Sequence, residues 1–298
     1  MPEENEPLGE GIGEGLGEDQ VPQEPAIADT APTEAEQIQY LEGRETNYLF
    51  LYGPGQVGKT AITSAMIHYL STECEYGNLV AIDSGDGRGR LLLQHIREAI
   101  NDRRFPARTE LGSLTEVEIR FEPLRKSLPH LWLTFLDMSG EDLKNVEVTR
   151  TSDRQLPSNI DVFFKANDLS MIFVLVTSWE EAQKNDDLMV TFLDYIIGKD
   201  NRFRNSRVML LISQWDTFVG EIEIEEFISK HMKLTYARLR DNSHAIRQFS
   251  IGRVIEADGI PHIQEFNGEH SENVFLWTYK SFTGRSLVSW WERLRRYF

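Results

Sequence analysis

Residues 53–60 read Gly53-Pro54-Gly55-Gln56-Val57-Gly58-Lys59-Thr60, and this octet constrains the fold more than any other part of the chain. It has the spacing GxxxxGK[ST], two glycines with four residues between them, then Lys and a hydroxyl residue. An apolar run precedes it (Tyr48-Leu49-Phe50-Leu51-Tyr52), and a helical pattern follows through Ala61-Ile62, Ala65-Met66 and Tyr69-Leu70. A strand that turns through glycines into a helix offers successive N–H groups and a partial positive charge to an anion. Lys59 adds a mobile point charge for terminal phosphates, and the Thr60 hydroxyl suits magnesium. Ala61, the next residue of the helix, completes the expected cradle. Binding of a nucleoside phosphate is the first expectation.

Charge is placed unevenly. Residues 1–45 hold thirteen acidic side chains, one basic one (Arg44) and five prolines, whereas the whole 298-residue chain carries a net charge of −17. Gly-Glu units recur there (Gly9-Glu10, Gly13-Glu14, Gly17-Glu18) without apolar periodicity. Such a segment buries too little surface to offset its ordering entropy, so 1–45 is expected to be a disordered acidic tail and 46–298 the folded domain. The opening lacks the basic and apolar regions of a signal peptide, and no run of about eighteen apolar residues suggests a membrane span. One cysteine, Cys74, leaves no internal disulfide and fits a reducing cytoplasm. The acidic balance argues against nucleic acid as a partner, since that binding needs clustered Lys and Arg.

Strand and helix signals alternate beyond the loop. Strands are expected at 117–121, 131–136, 171–176, 208–212 and 245–251, the runs at 171 and 208 being apolar on both faces, and 79–82 reads as a short strand or a buried connector. Helices are expected near 90–101, 188–197, 222–233, 272–282 and 286–297. The alternation implies an α/β fold, a mostly parallel doubly wound sheet with helices on both faces.

Two further signals sit at strand ends. The run Leu133–Leu136 ends in Asp137-Met138-Ser139-Gly140-Glu141. An Asp at that place can hold magnesium through water, and Gly140 allows its N–H to approach a γ-phosphate. The run at 208–212 leads into Ser213-Gln214-Trp215-Asp216. In GTPases this place carries [NT]KxD, whose Asp accepts from the guanine ring N–H and exocyclic amine. Ser213 stands in for Asn or Thr, and Gln214 replaces the Lys that lies across the base.

The order of phosphate loop, DxxG and [NST]xxD on successive strands resembles that of the Ras-like and translation-factor class of P-loop GTPases. More narrowly, residues 46–298 resemble the bacterial double-GTPase family, through Phe105-Pro106-Ala107-Arg108-Thr109, Phe249-Ser250-Ile251-Gly252 and Leu276-Trp277-Thr278-Tyr279. The resemblance implies a cytoplasmic regulatory GTPase using GTP/GDP and Mg2+, with a protein effector or partner GTPase. It also implies that Thr109 closes over the metal, with Thr115 as the alternative, and that Ser250 contacts the guanine carbonyl through its backbone. Glu141 stands where a water-orienting Gln is usual, so slow, partner-dependent hydrolysis is expected, with Lys59, Thr109 and Glu141 as the catalytic set. Arg150 and Arg154 are candidate charge-stabilising fingers. The aromatic and basic segment 287–298 is expected to pack on the domain, with a membrane or acidic-partner contact as the alternative. A P-loop ATPase, and a nucleotide-binding interaction module without significant hydrolysis, remain as competing functions.

Overall fold

The computed structural model describes residues 32–81, 88–105, 114–138, 158–199, 206–240, 244–257 and 260–288. Among these, seven strands form one sheet in the order β2-β3-β4-β1-β5-β6-β7. They are β1 Asn47–Tyr52, β2 Gly77–Ala81, β3 Leu114–Pro123, β4 Leu131–Met138, β5 Ser170–Ser178, β6 Arg207–Ser213 and β7 Ala245–Gln248. The run from β4 through β1, β5 and β6 to β7 is parallel throughout. β3 is antiparallel to both of its neighbours. The fold is α/β with a mostly parallel sheet, as the alternation of signals implies.

Side-chain period two explains why the sheet is covered on both faces. In β1, Tyr48, Phe50 and Tyr52 enter one core cluster and Leu49 and Leu51 the other. β5 divides the same way, Phe173 and Leu175 opposite Ile172 and Val174. One layer is built by α1 (Glu34–Glu42), α4 (Ser158–Lys165), α5 (Asp186–Lys199), α6 (Ile224–His231) and α7 (Lys233–Leu239). The other holds α2 (Lys59–Thr72), α3 (Arg88–Asn101) and α8 (Glu269–Thr283). Rings concentrate in the first layer, where Tyr52 stacks on Phe192 with centroids 3.6 Å apart.

The structure differs from the sequence expectations in six respects. Residues 34–42, assigned by composition to the acidic tail, form α1, with Leu41 buried. α1 is held to α4 by Lys165 Nζ to Glu34 (2.6 Å), and Glu42 accepts from the Asn167 N–H (2.8 Å). Arg44, the one basic residue of that segment, pairs with Glu116 (2.6 Å) and Glu118 (3.2 Å) on β3. α4 itself was not expected. The helix expected at 222–233 breaks at Met232 (φ −130°, ψ 59°), because the Asp186 carboxylate accepts from the N–H groups of Leu234 and Thr235 and starts α7 there. The last sheet strand stops at Gln248. It is followed by an unforeseen antiparallel hairpin, β8 (Gly252–Ala257) and β9 (Ile260–Phe266), ahead of α8. Residues 284–288 after α8 are not helical, and the rest of the helix expected at 286–297 lies outside the described residues.

Candidate nucleotide site

The octet at 53–60 joins β1 to α2, at the carboxyl edge of the parallel strands where such sheets bind ligands. Its glycines have different physical jobs. A Cβ on Gly53 would lie 2.2 Å from the Val176 carbonyl oxygen of β5, so no side chain fits between the loop and the sheet. Gly58 has open space around it but φ +87°, the left-handed conformation that L side chains disfavour. Gln56 is also left-handed (φ 68°). Two such residues around Val57 curl the backbone at the start of α2, the geometry of an anion-binding nest.

Lys59, only 6% exposed, donates from Nζ to the carbonyls of Gly53 (2.8 Å) and Pro54 (3.0 Å). Its ammonium therefore lies within the loop that it follows. Thr60 Oγ1 donates to Asp137 Oδ2 at 2.6 Å, across 77 residues of sequence. Asp137 is the next-to-last residue of β4, next to β1, and is 2% exposed. A hydroxyl and a carboxylate side by side are hard oxygen donors of the kind magnesium takes, so these two residues fit that ion.

The candidate base side lies at the end of β6. Ser213 Oγ reaches the Val57 carbonyl at 2.7 Å and the Thr177 carbonyl at 3.2 Å. Gln214 adopts φ 57° and its Nε2 lies 3.4 Å from the Gln56 carbonyl. Both residues therefore tie the β6 loop to the phosphate loop. Two residues on, Asp216 Oδ1 accepts from Ser250 Oγ at 3.0 Å, while Ser250 Oγ accepts from the Gly252 N–H at 3.0 Å. Ser250 thus meets Asp216 through its side chain. The Trp215 N–H to Phe249 carbonyl bond (3.2 Å) locks the two loops together.

An open cleft of about 1070 Å³ begins at Asp216, Ser250 and Gly252. It runs on between the end of α2, the hairpin and the start of α8, past Tyr69, Glu73, Phe266 and His270. Burial raises the Tyr69 hydroxyl and the Glu73 carboxyl above their ordinary values and lowers His270 below its own. None of these wall residues was singled out in the sequence. For Tyr69 and Glu73 the signal was the aromatic and acidic stretch Tyr69 to Tyr76, at the end of α2 and just beyond it; Phe266 and His270 gave none.

Of the remaining candidates, Thr115 is fixed in β3 opposite Asp137. Thr109, Gly140, Glu141, Arg150 and Arg154 lie outside the described residues, as do residues 289–298. No helix among the described residues is long and apolar enough to cross a membrane.

No family model and no curated protein matches the sequence. Among solved structures, the chain is similar to Methanosarcina barkeri Roco2 RocCORdC bound to GDP, at 12% identity and a TM-score of 0.39, over 85% of this chain and 55% of that one. It is also similar, at 12% identity and a TM-score of 0.39, to the signal recognition particle receptor SRb-GTP/SRX complex from Chaetomium thermophilum, over 80% of this chain and 99% of that one. The chain spans about 55% of the length of the first of these. At this level of likeness the site geometry, not the neighbours, carries the functional argument.

Proposed function

We propose that the chain is a guanine-nucleotide-binding switch protein with slow magnesium-dependent GTP hydrolysis. The observation that carries this reading is the seating of Asp216. Its carboxylate is held by Ser250 at the end of β6, and Ser213 and Gln214 fasten the same loop to the phosphate loop. A carboxylate so placed accepts two N–H groups from one edge of guanine, whereas adenine presents no such pair. Phosphates lie against the N–H groups of the octet, and Lys59 exchanges its two carbonyl partners for phosphate oxygens. Thr60 and Asp137 would hold Mg2+, which would supply positive charge to offset that of the phosphates. Thr109 and Gly140 complete the γ-phosphate end. Glu141 serves hydrolysis within an assembled complex, where a partner's cation screens it from the phosphate.

The setting that fits is cytoplasmic regulation in a bacterial multi-protein system, with an effector or partner GTPase as the output. The test is competition binding with GTP, ATP and xanthosine triphosphate. Asp216→Asn should lower the preference for GTP and raise that for xanthosine triphosphate, whose ring carbonyl accepts from the new amide. An unchanged preference refutes guanine recognition by Asp216.

A further inference from the structure

In this chain the residues that seat Asp216 do not close the base end of the site. After Ser250 the chain does not enter α8. It first makes the β8–β9 hairpin, pinched so tightly at its root that a Cβ on Gly252 would lie 2.1 Å from the Glu265 carbonyl oxygen. The hairpin then reaches across to the end of α3, where the Ile263 N–H donates to the Arg103 carbonyl at 2.9 Å. α8 consequently starts close to the far end of α2, where a Cβ on Gly268 would lie 2.1 Å from a Glu73 carboxylate oxygen and 3.0 Å from the Tyr69 ring. The space left between these elements is the cleft that begins at Asp216. Its volume of about 1070 Å³ lies just above the roughly 300–1,000 Å³ of sites that enclose whole drug-sized ligands, more than a purine ring needs.

The walls of that space have a definite chemistry. Tyr69, Tyr76, Trp215 and Phe266 line it with rings. Glu73, Glu265, Glu269 and Glu272 line it with carboxylates, and Arg253 is the one lysine or arginine among the lining residues described. Rings and carboxylates together favour a cation, through ring quadrupoles and through charge. A guanine edge bonded to Asp216 uses its ring N–H and one hydrogen of its exocyclic amine. The second hydrogen of that amine is free to be replaced.

We propose that the site takes guanine nucleotides enlarged on the exocyclic amine by a basic substituent, which lies in this cleft. The inference rests on guanine recognition by Asp216. It identifies the ligand class as a singly N-substituted guanine nucleotide, since single substitution keeps the N–H that Asp216 needs.

The experiment is competition binding of three probes to the full chain: GTP, GTP carrying a butyl group on the exocyclic amine, and GTP carrying an aminobutyl group there. The aminobutyl nucleotide is expected to bind at least as tightly as GTP and several-fold more tightly than the butyl one. That advantage should shrink at high salt. It should also shrink in the Glu265→Gln, Glu269→Gln double variant, whose GTP affinity stays at the wild-type level because neither residue touches Asp216. An aminobutyl nucleotide that binds tenfold more weakly than GTP, or no better than the butyl one, overturns the proposal while leaving guanine recognition intact. Failure of GTP itself to bind overturns both.

Discussion

Replacing Gly53 by Ala isolates what the first glycine of the octet does. The new methyl would stand 2.2 Å from the Val176 carbonyl oxygen, 3.1 Å from its carbon and 3.3 Å from Val57 Cγ2. Real contacts of this kind stay beyond 3.0 Å, so a gap of at least 0.8 Å must open against backbone that cannot rotate away. That backbone belongs to β5, which pairs with β1 up to the Tyr52–Leu175 register beside the loop, and Val57 is 1% exposed. Overpacking of this sort costs about 1–3 kcal/mol, and a sheet backbone places it toward the upper end. In a domain of this size about 2–4 °C of Tm is lost per kcal/mol, so a fall on the order of 5–10 °C is expected by calorimetry. Gly58→Ala is the matched comparison. It has open space and fails only through its φ of +87°, a penalty of about 1–2 kcal/mol. Gly53→Ala should therefore unfold at a lower temperature than Gly58→Ala. Equal or higher stability for Gly53→Ala would refute the argument that β5 contact, not loop conformation, requires glycine at 53.

Ser213→Ala leaves the Val57 carbonyl without its 2.7 Å partner in a buried site, so stability measured by urea denaturation should fall by about 1–3 kcal/mol. Lys59→Ala should remove most nucleotide affinity by titration, whereas Thr60→Ala should weaken binding with magnesium more than without it. Burial holds His68, His244 and His270 below their ordinary value of 6.5. The folded state then binds fewer protons than the unfolded one below that pH, and stability should fall as pH drops through 6.5. Glu73, raised above 4.5 by burial, acts with the opposite sign, its contribution present at low pH and lost as pH rises above 4.5. Urea denaturation between pH 7.5 and 5.5 reads the histidine effect, and a flat or rising profile refutes it.

The sheet was legible because its central strands are apolar on both faces and bounded by loops, so period and composition agreed. The hairpin was not, because Gly252, Pro261 and a run of charged residues make Gly252–Phe266 read as loop. Its pairing is visible only when β8 and β9 lie side by side. The break at Met232 escaped for a related reason. The helical pattern runs through it, and the cap that stops it is Asp186, nearly fifty residues away in sequence. Candidate site residues were legible wherever a short spacing carried the chemistry, as in the octet and at Asp216. The links between them were not, since Ser213 to Val57 spans 156 positions.

Those links give the site its character. The phosphate loop is fixed from beneath by β5 under Gly53, and from the side by Ser213 on the Val57 carbonyl and Gln214 on the Gln56 carbonyl. Gln56 and Gly58, on either side of Val57, are the two left-handed residues that curl the loop there. The loop that carries Asp216 is therefore tied directly to the octet's backbone at Gln56 and Val57, linking the two halves of the candidate site. A neutral amide at 214, in place of a lysine, keeps that tie while adding no charge over the base. The loop that carries Asp216 is thus held by the Ser250 and Ser213 hydroxyls together with the Trp215 N–H to Phe249 carbonyl bond, hydrogen bonds that ionic strength screens far less than a surface charge.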